Sequence, residues 1–163
     1  MKRAQPNPDV ATGGQALLHA GAVRLSESAI DRFDAVRRCG AVLLETGAVG
    51  PPYVDAMLTR EQMLSTYVGV GVALPHGTTA GRHAVFRDAL AVVRFPDGVD
   101  WDGDHVTVCV AVAAAENRHM DMLAGLAGIL LDPIRAEVLR KTTDPALVIQ
   151  LFESGCRPHC AGQ

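Results

Sequence analysis

The chain reads as an α/β protein, a sandwich of a mixed (parallel and antiparallel) sheet flanked by helices. Three observations predict this. Apolar β-type runs alternate with helix-period segments along the 163 residues. Two of the β-type runs flank Pro96-Asp97-Gly98 like the arms of a hairpin, so the sheet cannot be purely parallel. Hydrophobic residues make up 48% but aromatics only 4%. Ala, Val and Leu therefore supply the core, which suits helices packed closely on a sheet.

Taken in order, residues 1–15 are polar and broken by Pro6, Pro8, Gly13 and Gly14. This predicts a disordered tail, without the apolar segment of a signal peptide. A single domain is expected over 16–154 and a short tail over 155–163. The first strand falls near Ala22–Leu25. Asp31 with Asp34 is a variant of the capping box and opens a helix to Thr46. Val36, Cys39, Gly40, Leu43 and Leu44 recur at helical spacing, and Gly47 ends it. After the Gly50-Pro51-Pro52 break, Pro52 suits the first turn of a second helix, Tyr53 to Met63. A buried strand is expected over Val70–Leu74, stopping at Pro75, which has no N–H for a ladder.

Ala80–Arg87 is polar, a loop or a short helix. Ala89–Phe95 is a second strand, Pro96-Asp97-Gly98 a turn, and Val99–Trp101 the start of a hairpin return. His105–Ala113 is nearly continuous in apolarity and reads as a central strand. Helices follow over Arg118–Leu131, Pro133–Lys141 and Ala146–Glu153, the last opened by Asp144-Pro145.

Charge and composition narrow the function. A net charge of −3 makes no electrostatic case for nucleic acid. No apolar run approaches the ~20 residues of a spanning helix, so no direct membrane insertion and a cytoplasmic location are expected. Cys39 and Cys109 fall in elements and read as small buried hydrophobes. Cys156, His159 and Cys160 gather three potential metal ligands in a tail, with no evident fourth. The serine-hydrolase elbow, the Walker loop, His-Glu-x-x-His and the dinucleotide fingerprint are all absent from the sequence.

What remains is histidine chemistry. In Val72-Ala73-Leu74-Pro75-His76-Gly77-Thr78-Thr79 an imidazole is presented at a strand end, followed by a glycine and two hydroxyls. His119 opens the helix after the longest strand. If that strand runs beside the one leading to His76, both rings emerge at one sheet edge, where open α/β sheets place their ligands. His19, His83, His105 and His159 lie in polar or loop contexts and are expected to be solvated. A neutral imidazole is a competent nucleophile near pH 7, so phosphoryl transfer through a phosphohistidine is one option and metal binding another. A phosphoryl group needs donors around its spread charge. Gly77, Thr78 and Thr79 offer amides and hydroxyls, and Arg60 offers a guanidinium.

Several segments carry a resemblance. They are Tyr53-Val54-Asp55-Ala56-Met57-Leu58-Thr59-Arg60-Glu61, Thr66 through Gly77 with its Pro-His-Gly, Phe95-Pro96-Asp97-Gly98-Val99, and Asn117-Arg118-His119-Met120. Together, over residues 22–153, the chain resembles the IIA phosphocarrier domain of the bacterial phosphoenolpyruvate-dependent sugar phosphotransferase system. The likeness is to the fructose/mannitol branch, and to the mannitol-type member most of all. The resemblance implies an α/β sandwich with a mixed sheet and no cofactor. It implies that His76 takes a phosphoryl group from the histidine phosphocarrier protein and passes it to a cysteine of a IIB component, and so to a sugar. His119 would be the second active-site histidine and Arg60 the arginine near it. In mannitol-type relatives the residue six before the phosphorylated histidine is usually polar; here it is Val70, so any contact it makes to the phosphohistidine would be missing. The alternative is a regulatory, nitrogen-type IIA protein that signals by its phosphorylation state. Met57, Val70, Met120 and Met122 are candidates for an apolar docking ring around His76.

Overall fold

The computed structural model describes residues 17–115 and 118–155. Five strands form one sheet: β1 Val23–Arg24, β2 Tyr67–Gly69, β3 Val72–Ala73, β4 Ala89–Trp101 and β5 Asp104–Ala113. Their order is β1-β4-β5-β3-β2. β1 with β4 and β3 with β5 are parallel, while β4 with β5 and β2 with β3 are antiparallel. The sheet is mixed, as expected. Ala89–Phe95 and Val108–Ala113 are buried without alternation, so β4 and β5 are covered on both faces. Two helices, α1 Arg32–Glu45 and α2 Pro51–Met63, pack on each other, and α1 lies on β4 and β5. Helices α3 Arg118–Leu130, α4 Pro133–Lys141 and α5 Pro145–Gly155 pack together and reach β5 and β1.

The capping logic holds in detail. Asp31 accepts from the Asp34 amide at 2.8 Å, and the Asp34 carboxylate accepts from the Ile30 amide at 3.0 Å. The Asp34 carboxylate thus reaches one residue past the N-cap, in a variant of the capping box. Asp144 accepts from Ala146 N–H at 2.9 Å at the start of α5. The buried thiols of Cys39 and Cys109 sit in the core. Burial, reinforced by the neighbouring Cys39 thiol, pushes the Cys109 pKa well up, which makes that thiol unreactive.

Two turns differ from expectation. Pro96-Asp97-Gly98 does not reverse the chain. β4 runs through it to Trp101, and the reversal comes at Asp102-Gly103, both at positive φ. Arg94 pairs with Val108 and Val99 with Val106. Four residues on β4 therefore face one on β5, a long bulge that tolerates a proline because the ladder is already broken there. The run from Tyr67 to Leu74 is likewise not a single strand. Val70 (φ 51) and Gly71 (φ 75) close a tight hairpin between β2 and β3. Apolarity alone conceals this turn, because its first central residue is valine.

The expected N-terminal tail and the Cys156–Cys160 cluster lie outside the described residues. Among the described residues no group of three or more histidine, cysteine or acidic side chains could hold a metal ion, and no helix is long and apolar enough to cross a membrane.

Candidate active site

The site begins with how His76 is held. Val72 pairs with Val108, Ala73 with Cys109 and His76 with Val112. The register is constant, so the chain stays extended from β3 to His76, alongside β5. Pro75 lacks a donor but its carbonyl accepts from Val112 N–H at 2.9 Å. His76 thus stands where two parallel strands end, the usual place for a ligand in such sheets.

The imidazole is oriented by its own strand. Nδ1 lies 2.7 Å from the Leu74 carbonyl. A carbonyl can only accept, so Nδ1 carries the proton and the neutral ring places its lone pair on Nε2. Burial, with a smaller contribution from the Arg60 charge, lowers the His76 pKa below 6.5, and the Leu74 bond opposes this only partly. The ring is therefore neutral at physiological pH.

Helix α2 backs the loop. Tyr53 and Ala56 on it face the segment after His76, and Arg60 follows Tyr53 by two turns on the same side. The buried Tyr53 hydroxyl donates to the Val112 carbonyl at 2.6 Å and accepts from Gly77 N–H at 2.9 Å. It ties α2, the end of β5 and the histidine loop at one atom. Burial raises the Tyr53 pKa, so the phenol keeps its proton for that bond. A β-carbon on Gly77 would lie 2.5 Å from the Tyr53 ring, which explains the glycine: the aromatic ring occupies that space. A six-residue 3₁₀ helix, Thr79–Ala84, follows. A β-carbon on its Gly81 would sit 2.4 Å from the Ala56 β-carbon.

Tyr53, Arg60, His76, Gly77, Thr78, Thr79, Arg82 and Ala114 line a cleft of ≈ 150 Å³. This is room for several waters. Among the described residues the lining carries two guanidiniums, an imidazole and three hydroxyls, and no carboxylate. Such a cleft favours an anion. The Arg60 guanidinium is steadied by a 2.6 Å bond to the Leu64 carbonyl. Its neighbour Glu61 points the other way, 1% exposed. It accepts from Trp101 Nε1–H at 2.8 Å and from the amide and hydroxyl of Thr66. That buried network anchors the end of α2, and with it Arg60.

Of the residues expected from the sequence, His76, Arg60, Gly77, Thr78 and Thr79 meet at the cleft. The Gly77 amide is committed to Tyr53. His119 is the second residue of α3, just beyond the end of β5; its side chain lies outside the described residues. The preceding Arg118 pairs with Asp88 at 3.2 Å, and Asp88 also accepts from Ala115 N–H, which secures the exit of β5. Val70 is a correction. It lies in the hairpin turn at the other end of β3, and the four extended steps from Val72 to His76 alone span ~13 Å. It touches no group on His76. Met57 and Met122 are core residues, and Met120 is exposed. The expected ring of four therefore does not form.

Three cleft residues, Tyr53, Arg82 and Ala114, were not singled out from the sequence. Tyr53 had a signal, its seven-residue spacing from Arg60 on one helix face. Arg82 had none, because a polar stretch after Thr79 does not declare a 3₁₀ helix.

With this geometry in place, the family can be read. Residues 16–155 match the family model described as Phosphoenolpyruvate-dependent sugar phosphotransferase system, EIIA 2. The chain belongs to this family. Among relatives of this IIA domain, the multiphosphoryl transfer protein of Escherichia coli O157:H7 is 41% identical over 118 residues, 72% of this chain and 31% of that protein. The chain spans less than a third of the multiphosphoryl transfer proteins that it matches. The mannitol-specific phosphotransferase enzyme IIA component of Staphylococcus aureus strain Mu50 is 34% identical over 120 residues, 74% of this chain and 83% of that one. Enzyme IIAMTL of Escherichia coli, solved in complex with phosphorylated enzyme IIBMTL, superposes with a TM-score of 0.79 at 31% identity. That likeness covers 84% of this chain and 97% of the other.

Proposed function

We propose that this IIA domain is a cytoplasmic phosphocarrier that accepts a phosphoryl group on His76 from the histidine phosphocarrier protein. It hands the group to a IIB component for uptake of a sugar or sugar alcohol, with mannitol the leading candidate. The observation that carries the reading is the tautomer: Nδ1–H held by the Leu74 carbonyl directs the Nε2 lone pair to a cleft that, among the described residues, no carboxylate lines.

In the forward step Nε2 forms the new N–P bond. The N–P bond of the donor's phosphohistidine breaks, and its electron pair returns to the donor imidazole. The Nδ1 proton stays on His76, where the Leu74 carbonyl shares the positive charge that develops on the ring. Arg60 and the hydroxyls of Thr78 and Thr79 meet the phosphoryl oxygens. His119, at the start of α3, is assigned as the second histidine of the site. Gly77 serves by letting the loop lie flat on Tyr53. The second step reverses these roles, with the IIB cysteine thiolate as nucleophile. Mannitol is favoured because the Staphylococcus aureus and Escherichia coli relatives carry that name and match most of their own length.

The test is phosphorylation with phosphoenolpyruvate, the first enzyme of the cascade and the histidine phosphocarrier protein. The chain should take up an acid-labile, alkali-stable label that His76→Ala lacks and that a mannitol-type IIB protein removes. Label retained in His76→Ala would overturn the assignment. Normal labelling without transfer to any sugar IIB protein would indicate a regulatory role instead.

A further inference from the structure

The 3₁₀ helix after the histidine loop has two unlike faces. Residues three apart eclipse one another in a 3₁₀ helix. Gly81 and Ala84 form its buried face, and Gly81 lies against Ala56 of α2. Thr79 and Arg82 form another, and both line the cleft. The helix, packed on α2, thus carries a guanidinium into the cleft that His76 and Arg60 also line.

Arg82 is half-buried, yet its charge is not spent. Among the described residues no carboxylate pairs with it, and its guanidinium donates to no carbonyl. Other arginines nearby are committed: Arg60 to the Leu64 carbonyl and Arg87 to the Thr46 carbonyl. An arginine that lines a cleft without an anion is suited to a ligand that brings one. Its field already acts on the neighbouring Tyr53 phenol, where it opposes the effect of burial.

We propose that Arg82 is a second phosphoryl-binding guanidinium, which closes on the transferred group together with Arg60. This rests on the reading of His76 as the phosphorylated residue. Arg60, tethered to Leu64, is a fixed donor. Arg82, untethered, follows the phosphoryl group as it passes between carriers. Its guanidinium offsets the charge spread over the three phosphoryl oxygens while the N–P bond to His76 forms and the donor's N–P bond breaks. No proton moves through it.

The experiment compares the full chain with Arg82→Gln and Arg82→Lys. Three quantities are measured: the kcat and KM of phosphorylation by the histidine phosphocarrier protein, the ³¹P shift of the phosphohistidine, and the melting temperature. Arg82→Gln is expected to lower kcat about 10–100-fold and to move the ³¹P signal, with the melting temperature nearly unchanged. Arg82→Lys should recover part of the rate. Titration with inorganic phosphate gives a second readout without partners. The Thr78 and Thr79 amide resonances should shift in the wild type and much less in Arg82→Gln. If the wild type itself takes no label, the reading of His76 fails and this role falls with it. If the wild type is labelled and Arg82→Gln matches it in rate, ³¹P shift and phosphate titration, Arg82 has no such role while the reading of His76 stands. A rate loss that tracks a lowered melting temperature, without rescue by lysine, would also overturn it.

Discussion

Replacing Val70 with asparagine tests the backbone of the hairpin and the layout of the site together. Val70 holds φ 51, a region where a β-branched residue is a true outlier. The strain is about 1–2 kcal/mol. Asparagine tolerates this conformation, and Asn-Gly is the favoured pair for a two-residue turn with both φ positive. The side chain is half-exposed, so losing its two methyls costs about 0.8 kcal/mol in apolar burial. The 2.9 Å bond from Arg140 to the Val70 carbonyl is a backbone contact and survives the change. The net gain is about 0.2–1.2 kcal/mol, or a rise in Tm of up to ~5 °C for a chain of this size. Val70→Gly relieves the same strain but frees the unfolded chain, which offsets about 0.4–1 kcal/mol. The expected order of stability is therefore Asn above Gly, with Gly near the wild type. Thermal melts followed by circular dichroism measure this, and phosphorylation kinetics run beside them. A lowered Tm for Val70→Asn would refute the strain argument. A phosphorylation rate changed by more than about twofold would refute the placement of Val70 away from His76.

Four further outcomes are expected. Tyr53→Phe keeps the ring but strands the Val112 carbonyl and the Gly77 amide; it should lower stability by about 1–3 kcal/mol in urea melts and slow phosphorylation. Gly77→Ala forces a β-carbon to 2.5 Å from the Tyr53 ring and should cost about 1–3 kcal/mol, seen as a fall in Tm. Glu61→Gln turns an amide donor toward the Trp101 and Thr66 donors and should cost about 2–3 kcal/mol, read from the urea midpoint. For pH, the His76 pKa is lower folded than unfolded, so the unfolded chain binds more protons below 6.5. The stability due to neutral His76 is complete above that pH and is lost as pH falls from it through the lowered folded value. The rate of phosphoryl acceptance should stay level down to about the same pH. His76→Gln should flatten that part of the stability profile, and an unchanged slope would contradict the burial argument.

Much of the fold was legible because local chemistry and tertiary demand agreed. Asp31 with Asp34, Pro52 and Asp144-Pro145 mark helix starts by satisfying backbone donors that any helix leaves open. The nearly continuous apolarity of His105–Ala113 marks a strand that from Val108 onward is covered on both faces. His76, Arg60, Thr78 and Thr79 could be named because a presented imidazole, a guanidinium and hydroxyls are chemical signals in themselves. Where local and tertiary signals parted, the sequence misled. Pro96-Asp97-Gly98 has turn chemistry but forms a bulge, because β5 continues past it and the pairing resumes at Val99. Val70-Gly71 has strand chemistry but forms a turn, because Val72 must pair with Val108 while Gly69 pairs back on Val72.

The sequence by itself determined the helices α1 to α5, the long strands β4 and β5 and which histidine is presented, since these follow from residue types and their spacing along the chain. Tertiary structure alone decided what surrounds that histidine. Only packing of α2 under the loop brings the Tyr53 hydroxyl between Val112 and Gly77. Only the three-residue repeat of the Thr79–Ala84 helix turns Arg82 toward the cleft and Gly81 away from it. Only the register of β3 on β5 carries Val70 to the far end of the strand. Each depends on distances between segments remote in the chain, which no local pattern encodes.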